Sequence, residues 1–117
     1  MMKFGDKPVY LACGATDMRK QIDGLAAKVQ ADFKLNPFDK ALFVFCNRAR
    51  NKIKVLEWDG DGYWLYFKRL ERGTFRWPAV DDGKPMELTS EEFEVLIGSA
   101  RLTQKLRRQE ITSGKLF

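Results

Sequence analysis

The chain has 117 residues, 44% of them hydrophobic, which suits one folded domain and is not typical of a disordered protein. Its 21 Lys and Arg against 16 Asp and Glu give a net charge of +5, which permits a polyanionic partner without requiring one. The chain contains no histidine, which excludes histidine-based catalytic triads and histidine-bearing zinc sites.

The charges are unevenly distributed along the chain. Residues 48–76 carry a net charge of +4, residues 77–100 carry −5, and residues 101–117 carry +4. Charge separated in this way predicts two different contact surfaces. We expect a single domain over residues 1–100, followed by a basic tail over residues 101–117 that is flexible or becomes helical only when bound.

The cysteines and the apolar runs indicate the compartment. Cys13 and Cys46 both lie in apolar stretches, which favours buried core thiols over a disulfide or a redox pair. No apolar run approaches the roughly 18 residues of a membrane span, and the N-terminus lacks the core of a signal peptide. We therefore expect a cytoplasmic protein.

The first half of the chain predicts a strand, a helix and a second strand. Residues 9–13 form a short apolar run, and residues 41–46 form a continuous one, typical of a buried central strand. Between them a helix is predicted over about 17–33, capped by Thr16 or Asp17. If the two strands are parallel, the three elements form a crossover unit, which should be right-handed.

The second half predicts a hairpin and a short helix. Residues 52–58 and 63–70 are its two strands, residues 74–78 suggest a short edge strand closed by proline, and residues 86–88 are extended. Thr89 and Glu92 match a capping box that starts a helix over about 89–97. The predicted fold class is α+β: a mostly antiparallel, hairpin-rich sheet of about four to six strands. One long helix, about 17–33, packs on a face, and the short C-terminal helix completes the fold.

The segment Asp59-Gly60-Asp61-Gly62 could be a metal loop or the tip of a hairpin. A calcium loop of the EF type needs oxygen ligands at positions where this chain has Tyr63 and Leu70. Two carboxylates in an exposed turn also stay ionised and make poor general acids. Asp-Gly between two apolar strands is a strong signal for a hairpin turn. We therefore predict a turn, with no metal and no cofactor.

A further functional hypothesis is that the protein is a nuclease whose carboxylates hold a catalytic metal ion. Nothing in the spacing of the available residues assembles them, so we predict that the chain is not an enzyme. The residues considered are Asp17, Asp23, Asp59, Asp61 and Asp82.

The length of the hairpin loop decides which side chains share a face of the sheet. A two- or four-residue loop sets Trp58 opposite Tyr63 and Leu56 opposite Leu65. A three-residue loop with a glycine bulge would group Trp58, Trp64, Tyr66, Lys54 and Lys68 instead. A one-residue slip exchanges the two faces, and the sequence does not choose between the registers.

The cations of the central region are the candidate nucleic-acid contacts. A sheet face that mixes aromatic rings with Lys and Arg can stack on bases and meet phosphates. The alternative is that the rings belong to the core and the cations are solvated. The candidate residues are Arg48, Arg50, Lys52, Lys54, Lys68, Arg69, Arg72 and Arg76.

Three stretches in this order resemble one known family. CGATDMRKQIDGLAA (13–27), PFDKALFVFCNRARNKIKVLEWDGDGYWLYFKRLERGTFRWP (37–78) and LTSEEFEVLIG (88–98) resemble the TnpB accessory proteins of bacterial insertion sequences of family sixty-six. The resemblance covers about residues 7–100. It implies a mobile-element protein that supports DNA transposition beside a separately encoded DDE-type transposase, and it supplies no catalytic or binding residues to carry over.

The sequence therefore supports two main functional hypotheses. The first is a non-catalytic accessory protein that binds element DNA, the transposase of the same element, or both. The alternative is a protein–protein adaptor or homo-oligomeric scaffold without direct DNA contact, using the acidic helix or an aromatic face of the sheet.

Overall fold

The computed structural model describes residues 6–79 and 83–98. Five strands form one sheet in the order β4-β3-β2-β1-β5. The strands are β1 (Val9–Leu11), β2 (Leu42–Cys46), β3 (Lys52–Trp58), β4 (Tyr63–Arg69) and β5 (Met86–Leu88). The pair β1–β2 is parallel and the other neighbours are antiparallel, which confirms the predicted α+β class; the sequence alone leaves the direction of the first two strands open. The predicted tail 101–117 and Asp82 lie outside the described residues.

The helix between β1 and β2 is shorter than predicted. Helix α1 spans Ile22–Lys28 and continues as a π-helical turn, Val29–Phe33, so the predicted start near residue 17 was wrong. The Asp17 carboxylate accepts hydrogen bonds from the backbone N–H and the guanidinium of Arg19, which closes a turn in place of a helix cap. The ammonium of Lys54 also donates hydrogen bonds to two backbone carbonyls of this segment, those of Met18 and Lys20.

Side chains of the sheet alternate between two covered faces. The face under α1, called the α1 face, packs Leu25, Val29 and Phe33 against residues of β2 and β3. The opposite face is covered by helix α2, residues 90–98, and is called the α2 face; Phe93 and Ile97 are buried there. Because β2 is buried on both sides, its sequence is a continuous apolar run.

The predicted edge strand 74–78 is wrong: this segment is not a strand but a strap across the α2 face. Phe75 N–H donates to the carbonyl of Arg50 (2.7 Å), and the Trp77 indole N–H donates to the carbonyl of Ala12 (2.8 Å). Phe75 and Trp77 are both buried in the core. The Gly14 N–H also donates to the carbonyl of Pro78 (3.0 Å), so the hydrogen bonds of the strap go to two separate segments and no continuous ladder forms.

The hairpin takes the register of a four-residue loop. Trp58 pairs with Tyr63, and Leu56 pairs with Leu65. The backbone N–H of Asp59 donates to the carbonyl of Gly62 (3.0 Å), which closes the loop 59–62. The first of the two expected registers is therefore the one adopted, and the three-residue bulge is not.

The predicted capping box begins α2. Thr89 N–H donates to Glu92 Oε1 (2.8 Å), and Glu92 N–H donates to Thr89 Oγ1 (3.1 Å). Two free N-terminal N–H groups are thereby satisfied, which fixes where the helix starts. Across residues 6–79 and 83–98, no helix is long and apolar enough to cross a membrane.

Neither cysteine is part of a disulfide. Cys46 is buried in β2, and burial raises the pKa of its thiol to about 11. Cys13 is half-buried. The expectation of buried core thiols is therefore confirmed fully for Cys46 and only in part for Cys13.

Candidate nucleic-acid interface

A tight turn between β2 and β3 presents the first two candidate cations. Asn47 Oδ1 accepts the backbone N–H groups of Asn51 and Lys52 (3.0 Å each), and Asn47 Nδ2 donates to Asn51 Oδ1 (2.8 Å). Arg50 adopts a left-handed conformation with φ of 59°. The asparagine side chains hold the turn closed, and both Arg48 and Arg50 are exposed on it.

The loop after β4 is tied to the same turn. Leu70 N–H donates to the carbonyl of Asn51, and Phe75 N–H donates to the carbonyl of Arg50, both at 2.7 Å. These two bonds hold residues 71–74 beside the turn, although the whole β3–β4 hairpin separates the two segments in sequence. Two further exposed cations lie on or next to this loop, Arg72 and Arg76.

Strand ends supply three more cations at the same end of the sheet. Lys52 at the start of β3 pairs with Arg69 at the end of β4. Arg69 is exposed, and its Nε donates to Glu71 Oε2 at 2.8 Å. Lys68 pairs with Ile53 and is half-buried on the α2 face.

Lys54 does not join this surface. Its side chain is on the α1 face with 7% of its area exposed, and Nζ donates to the carbonyl oxygens of Met18 and Lys20 at 2.8 Å each. Both acceptors lie in the segment before α1. Lys54 therefore anchors that segment to β3, which corrects its place among the predicted exposed cations.

We call the remaining cluster the basic end of the sheet. Asp17 lines the same depression as Arg48, Glu71 follows β4 in the adjoining loop, and each of these carboxylates is paired with an arginine. The Arg19 guanidinium lowers the pKa of Asp17 to about 2, chiefly through hydrogen bonds. The residues of the basic end are Arg48, Arg50, Lys52, Lys68, Arg69, Arg72 and Arg76.

Two shallow depressions flank Arg48. One is lined by Thr16, Met18 and Lys52, and the other by Gly14 and Pro78 among others. Exposed Arg48 lines both depressions, and Asp17 also lines the first of them. Such relief suits contact with a backbone of repeated phosphates better than capture of a small enclosed ligand.

One exposed aromatic ring missing from the predicted site residues lies beside the basic end. Phe67 is 55% exposed and lies two residues from Arg69 on the α1 face, with Lys52 opposite Arg69. The strict alternation of β4 was the signal that could have found it, because residues 67 and 69 share a face whichever register the hairpin adopts.

The other end of the sheet carries aromatic rings and carboxylates. Trp58 and Tyr63 pack edge to face with centroids 4.9 Å apart, and Phe38 packs on both. Trp64 Nε1 donates to Asp59 Oδ2 at 2.5 Å, and this bond, with a further one from Asp61, lowers the pKa of Asp59. Asp59 thus fixes an exposed tryptophan at the hairpin tip.

No metal centre forms from the residues placed here. Within residues 6–79 and 83–98, no three His, Cys, Asp or Glu side chains are grouped so that they could hold a metal ion. Asp59 and Asp61 lie at the hairpin tip, while Asp17 is at the opposite end of the sheet beside Arg19. Of the five aspartates considered for nuclease chemistry, Asp82 lies outside the described residues, and no three of the other four are brought together.

The chain is similar in sequence to two curated proteins of one bacterial strain. The chain is 48% identical over 75 residues to uncharacterized protein y4hO of Sinorhizobium fredii (strain NBRC 101917 / NGR234), covering 64% of this chain and 65% of that relative. It is 31% identical over 100 residues to uncharacterized protein y4jC of the same strain, covering 86% of this chain and 85% of that relative. No solved structure matches.

A protein-family model also matches most of the chain. The model of the family described as IS66 Orf2 like protein, TnpB_IS66, matches residues 7–107. That range contains both strands of the hairpin, the turn 47–51 and the strap. Family membership suggests an accessory protein associated with the transposition machinery of insertion sequences. The chain belongs to the family of IS66 Orf2 like proteins.

Proposed function

We propose that this protein is a non-catalytic accessory factor in DNA transposition that binds DNA of its element through the basic end of the sheet. The observation that carries the proposal is that cations from three segments lie together at one end of the sheet. These segments are the β2–β3 turn, the end of β4 and the loop after β4. Glu71 offsets the charge of Arg69, and Asp17 is offset by Arg19, so the remaining cations keep that end positive. Lys54 is left out of the proposed contact set because it is buried.

The proposed contacts are to phosphates. Arginine matches phosphate geometry with two parallel N–H donors, and the exposed Arg48 and Arg72 are free of any described carboxylate partner. Phosphate contacts position a protein on a duplex but read no sequence. Phe67 adds a ring on which an unpaired base can stack beside Arg69 and Lys52.

Binding to duplex DNA that carries the terminal repeats of the element tests this proposal. Fluorescence anisotropy at several salt concentrations should give an affinity that falls steeply with salt, by a slope of about 0.9 per phosphate contact. The double variant Arg48→Gln/Arg72→Gln should bind about tenfold or more weakly and reduce the slope by about 2. No binding at low salt would overturn the proposal.

A matched control separates local contact from net charge. The double variant Lys34→Gln/Lys40→Gln removes the same charge from two exposed lysines outside the basic end. We expect its DNA affinity to stay within about twofold of the wild type, because exposed charges further away than a Debye length of about 10 Å are screened. Equal losses in both double variants would argue against a defined DNA contact.

A second candidate function is docking of the transposase by the acidic helix α2. The supporting observation is Val95, which is 65% exposed on a helix that also exposes Glu91. An apolar side chain beside a carboxylate suits a partner with a basic rim around an apolar contact. Co-purification with the transposase of the element, lost in Val95→Lys and kept in Arg48→Gln/Arg72→Gln, would support docking; recovery of no transposase with the wild type would contradict it.

A further inference from the structure

Strand β4 stands at the edge of the sheet, with β3 as its neighbour among the described strands. It is seven residues long, and its first five residues are Tyr-Trp-Leu-Tyr-Phe. An edge strand presents backbone N–H and C=O groups on its outer side, and proteins usually protect such an edge with charges, prolines or bulges. None of these interrupts residues 63–67.

The strand also exposes large rings on both faces of the sheet. Trp64 is 56% exposed on the α2 face, and Phe67 is 55% exposed on the α1 face. The covering elements α1 and α2 therefore leave apolar side chains of β4 uncovered on each side. A partner laid on one face would cover one ring. A strand added at the edge places its own side chains beside both.

The charges at the two ends of β4 favour a particular occupant. The loop before the strand carries Asp59 and Asp61, whereas the strand ends in Lys68 and Arg69. A second copy in the antiparallel direction brings the acidic end of each strand against the basic end of the other. A parallel copy would set like charges together, which is unfavourable.

We infer that β4 pairs with β4 of a second copy in antiparallel orientation, forming a two-fold homodimer whose sheet continues through both molecules. Such an interface is self-complementary, as two-fold symmetry requires. The backbone edge supplies the hydrogen bonds, and Trp64 and Phe67 supply the apolar contacts on the two faces. This inference goes beyond the proposed function, since it assigns the outer edge of β4 to a second copy, although Phe67, Lys68 and Arg69 of β4 also belong to the surface proposed for DNA.

The oligomeric state of the full chain tests the inference. Sedimentation equilibrium should show a concentration-dependent dimer for the wild type. The double variant Trp64→Lys/Phe67→Lys should raise the dimer dissociation constant at least about tenfold, because both positions are exposed in the single copy and lie at the contact in the dimer. A wild-type chain that is monomeric at every concentration up to about 1 mM, the weak limit of measurable association, would overturn the inference.

Two control variants locate the interface. Met86→Lys alters the opposite edge strand, β5, at a position that is 41% exposed, and Val95→Lys alters α2 at a position that is 65% exposed. Both should dimerise like the wild type. Loss of the dimer in either control with retention in Trp64→Lys/Phe67→Lys would overturn the assignment to β4. The DNA-contact variant Arg48→Gln/Arg72→Gln should also dimerise normally, so failure of the DNA proposal would be distinguishable.

Charge exchange tests the antiparallel direction. Asp61→Lys alone and Arg69→Glu alone should each weaken the dimer several-fold, because each sets like charges together across the two-fold axis. The combined variant carries the exchanged pair and should recover most of the wild-type affinity. If the combined variant instead dimerises more weakly than either single variant, because the two losses of affinity add, the antiparallel arrangement would be overturned.

Discussion

Lys54 illustrates how one charged side chain can serve the fold instead of the surface. The residue lies in a strand beside other lysines, and the sequence pattern places it with the exposed cations. In the structure its ammonium satisfies two backbone carbonyls of the segment before α1, 34 and 36 residues away in sequence. Those carbonyls belong to residues that do not continue the helix, so Lys54 takes the place of helical hydrogen bonds.

Replacing Lys54 should therefore cost stability without a matching loss of DNA contact. We expect Lys54→Met to lower the free energy of unfolding by about 2 kcal/mol, because it removes a charged donor and leaves two carbonyls unsatisfied. Urea denaturation measures the change. Lys52→Met, two residues away and half-buried, should stay within about 0.5 kcal/mol. Equal stability of the two variants would contradict the anchoring role.

Asp17 gives a pH-dependent signature at the basic end. Its pKa is lowered from 3.8 to about 2 by hydrogen bonds from Arg19. The pKa is lower in the folded state, so the stabilisation is present above about pH 4 and is lost as the pH falls towards 2. An NMR titration should show a midpoint near 2 for the Asp17 carboxyl. Arg19→Gln should return the midpoint towards 3.8, and an unchanged midpoint would exclude the pairing.

At the scale of elements, the β3–β4 hairpin depends on one glycine more than on its neighbour. Gly60 has φ of 104°, a conformation that L side chains rarely adopt, whereas no such angle applies at Gly62. Neither position has an atom within 4 Å of an added Cβ. The two glycines therefore form a matched pair in which space is equal and backbone conformation differs.

Alanine at these two positions should separate the two effects. Gly60→Ala should lower the free energy of unfolding by about 1–2 kcal/mol, since the strained φ is the main cost. Gly62→Ala should be neutral or stabilising by up to about 1 kcal/mol, because alanine reduces the freedom of the unfolded chain. Thermal unfolding followed by circular dichroism measures both. A larger loss at Gly62 than at Gly60 would contradict the turn geometry.

Elements fixed by local signals were predictable, and those fixed by distant contacts were not. The continuous apolar run of β2, the arms of the hairpin and the Thr89 capping box all depend on residues next to each other in sequence. The late start of α1 depends on Lys54, and the strap depends on burial of Phe75 and Trp77 under α2. The strap alternates aromatic and polar residues as a strand does, but its backbone hydrogen bonds go to two segments that are far apart in sequence.

The same distinction holds for the candidate site. Arg48, Arg50 and Arg72 were predicted outside the strands, and such segments are usually at the surface, whereas Arg76 was predicted in the edge strand 74–78. Their convergence could not be read from the sequence, because it follows from the Leu70 and Phe75 backbone bonds to the turn. Phe67 was missed for a related reason, since an aromatic ring in a strand is more often part of the core.

At the scale of the molecule, the two ends of the sheet have opposite charge. The basic end carries the turn arginines, while the hairpin tip carries Asp59 and Asp61 and the start of α2 carries Glu91 and Glu92. A polyanion attracts one end and repels the other, which orients the protein before contact.

This orientation should appear in the association rate with DNA. Stopped-flow measurements should show an association rate that falls steeply as ionic strength rises. Asp61→Asn/Glu91→Gln removes repulsion at the far end and should raise the association rate at low salt by about twofold or more, while leaving the dissociation rate nearly unchanged. A change confined to the dissociation rate would place these acids in the contact itself.

The proposed β4–β4 pairing would also determine the valency of the assembly. A two-fold axis through an antiparallel β4–β4 contact turns the two basic ends in opposite directions along the strands. In such a dimer each copy would offer its proposed DNA contact away from the other, which would suit two separate duplex segments better than two half-sites on one duplex. Once one duplex segment is bound by one copy, the second copy would meet its own segment at an effective concentration set by the fixed distance between the two basic ends.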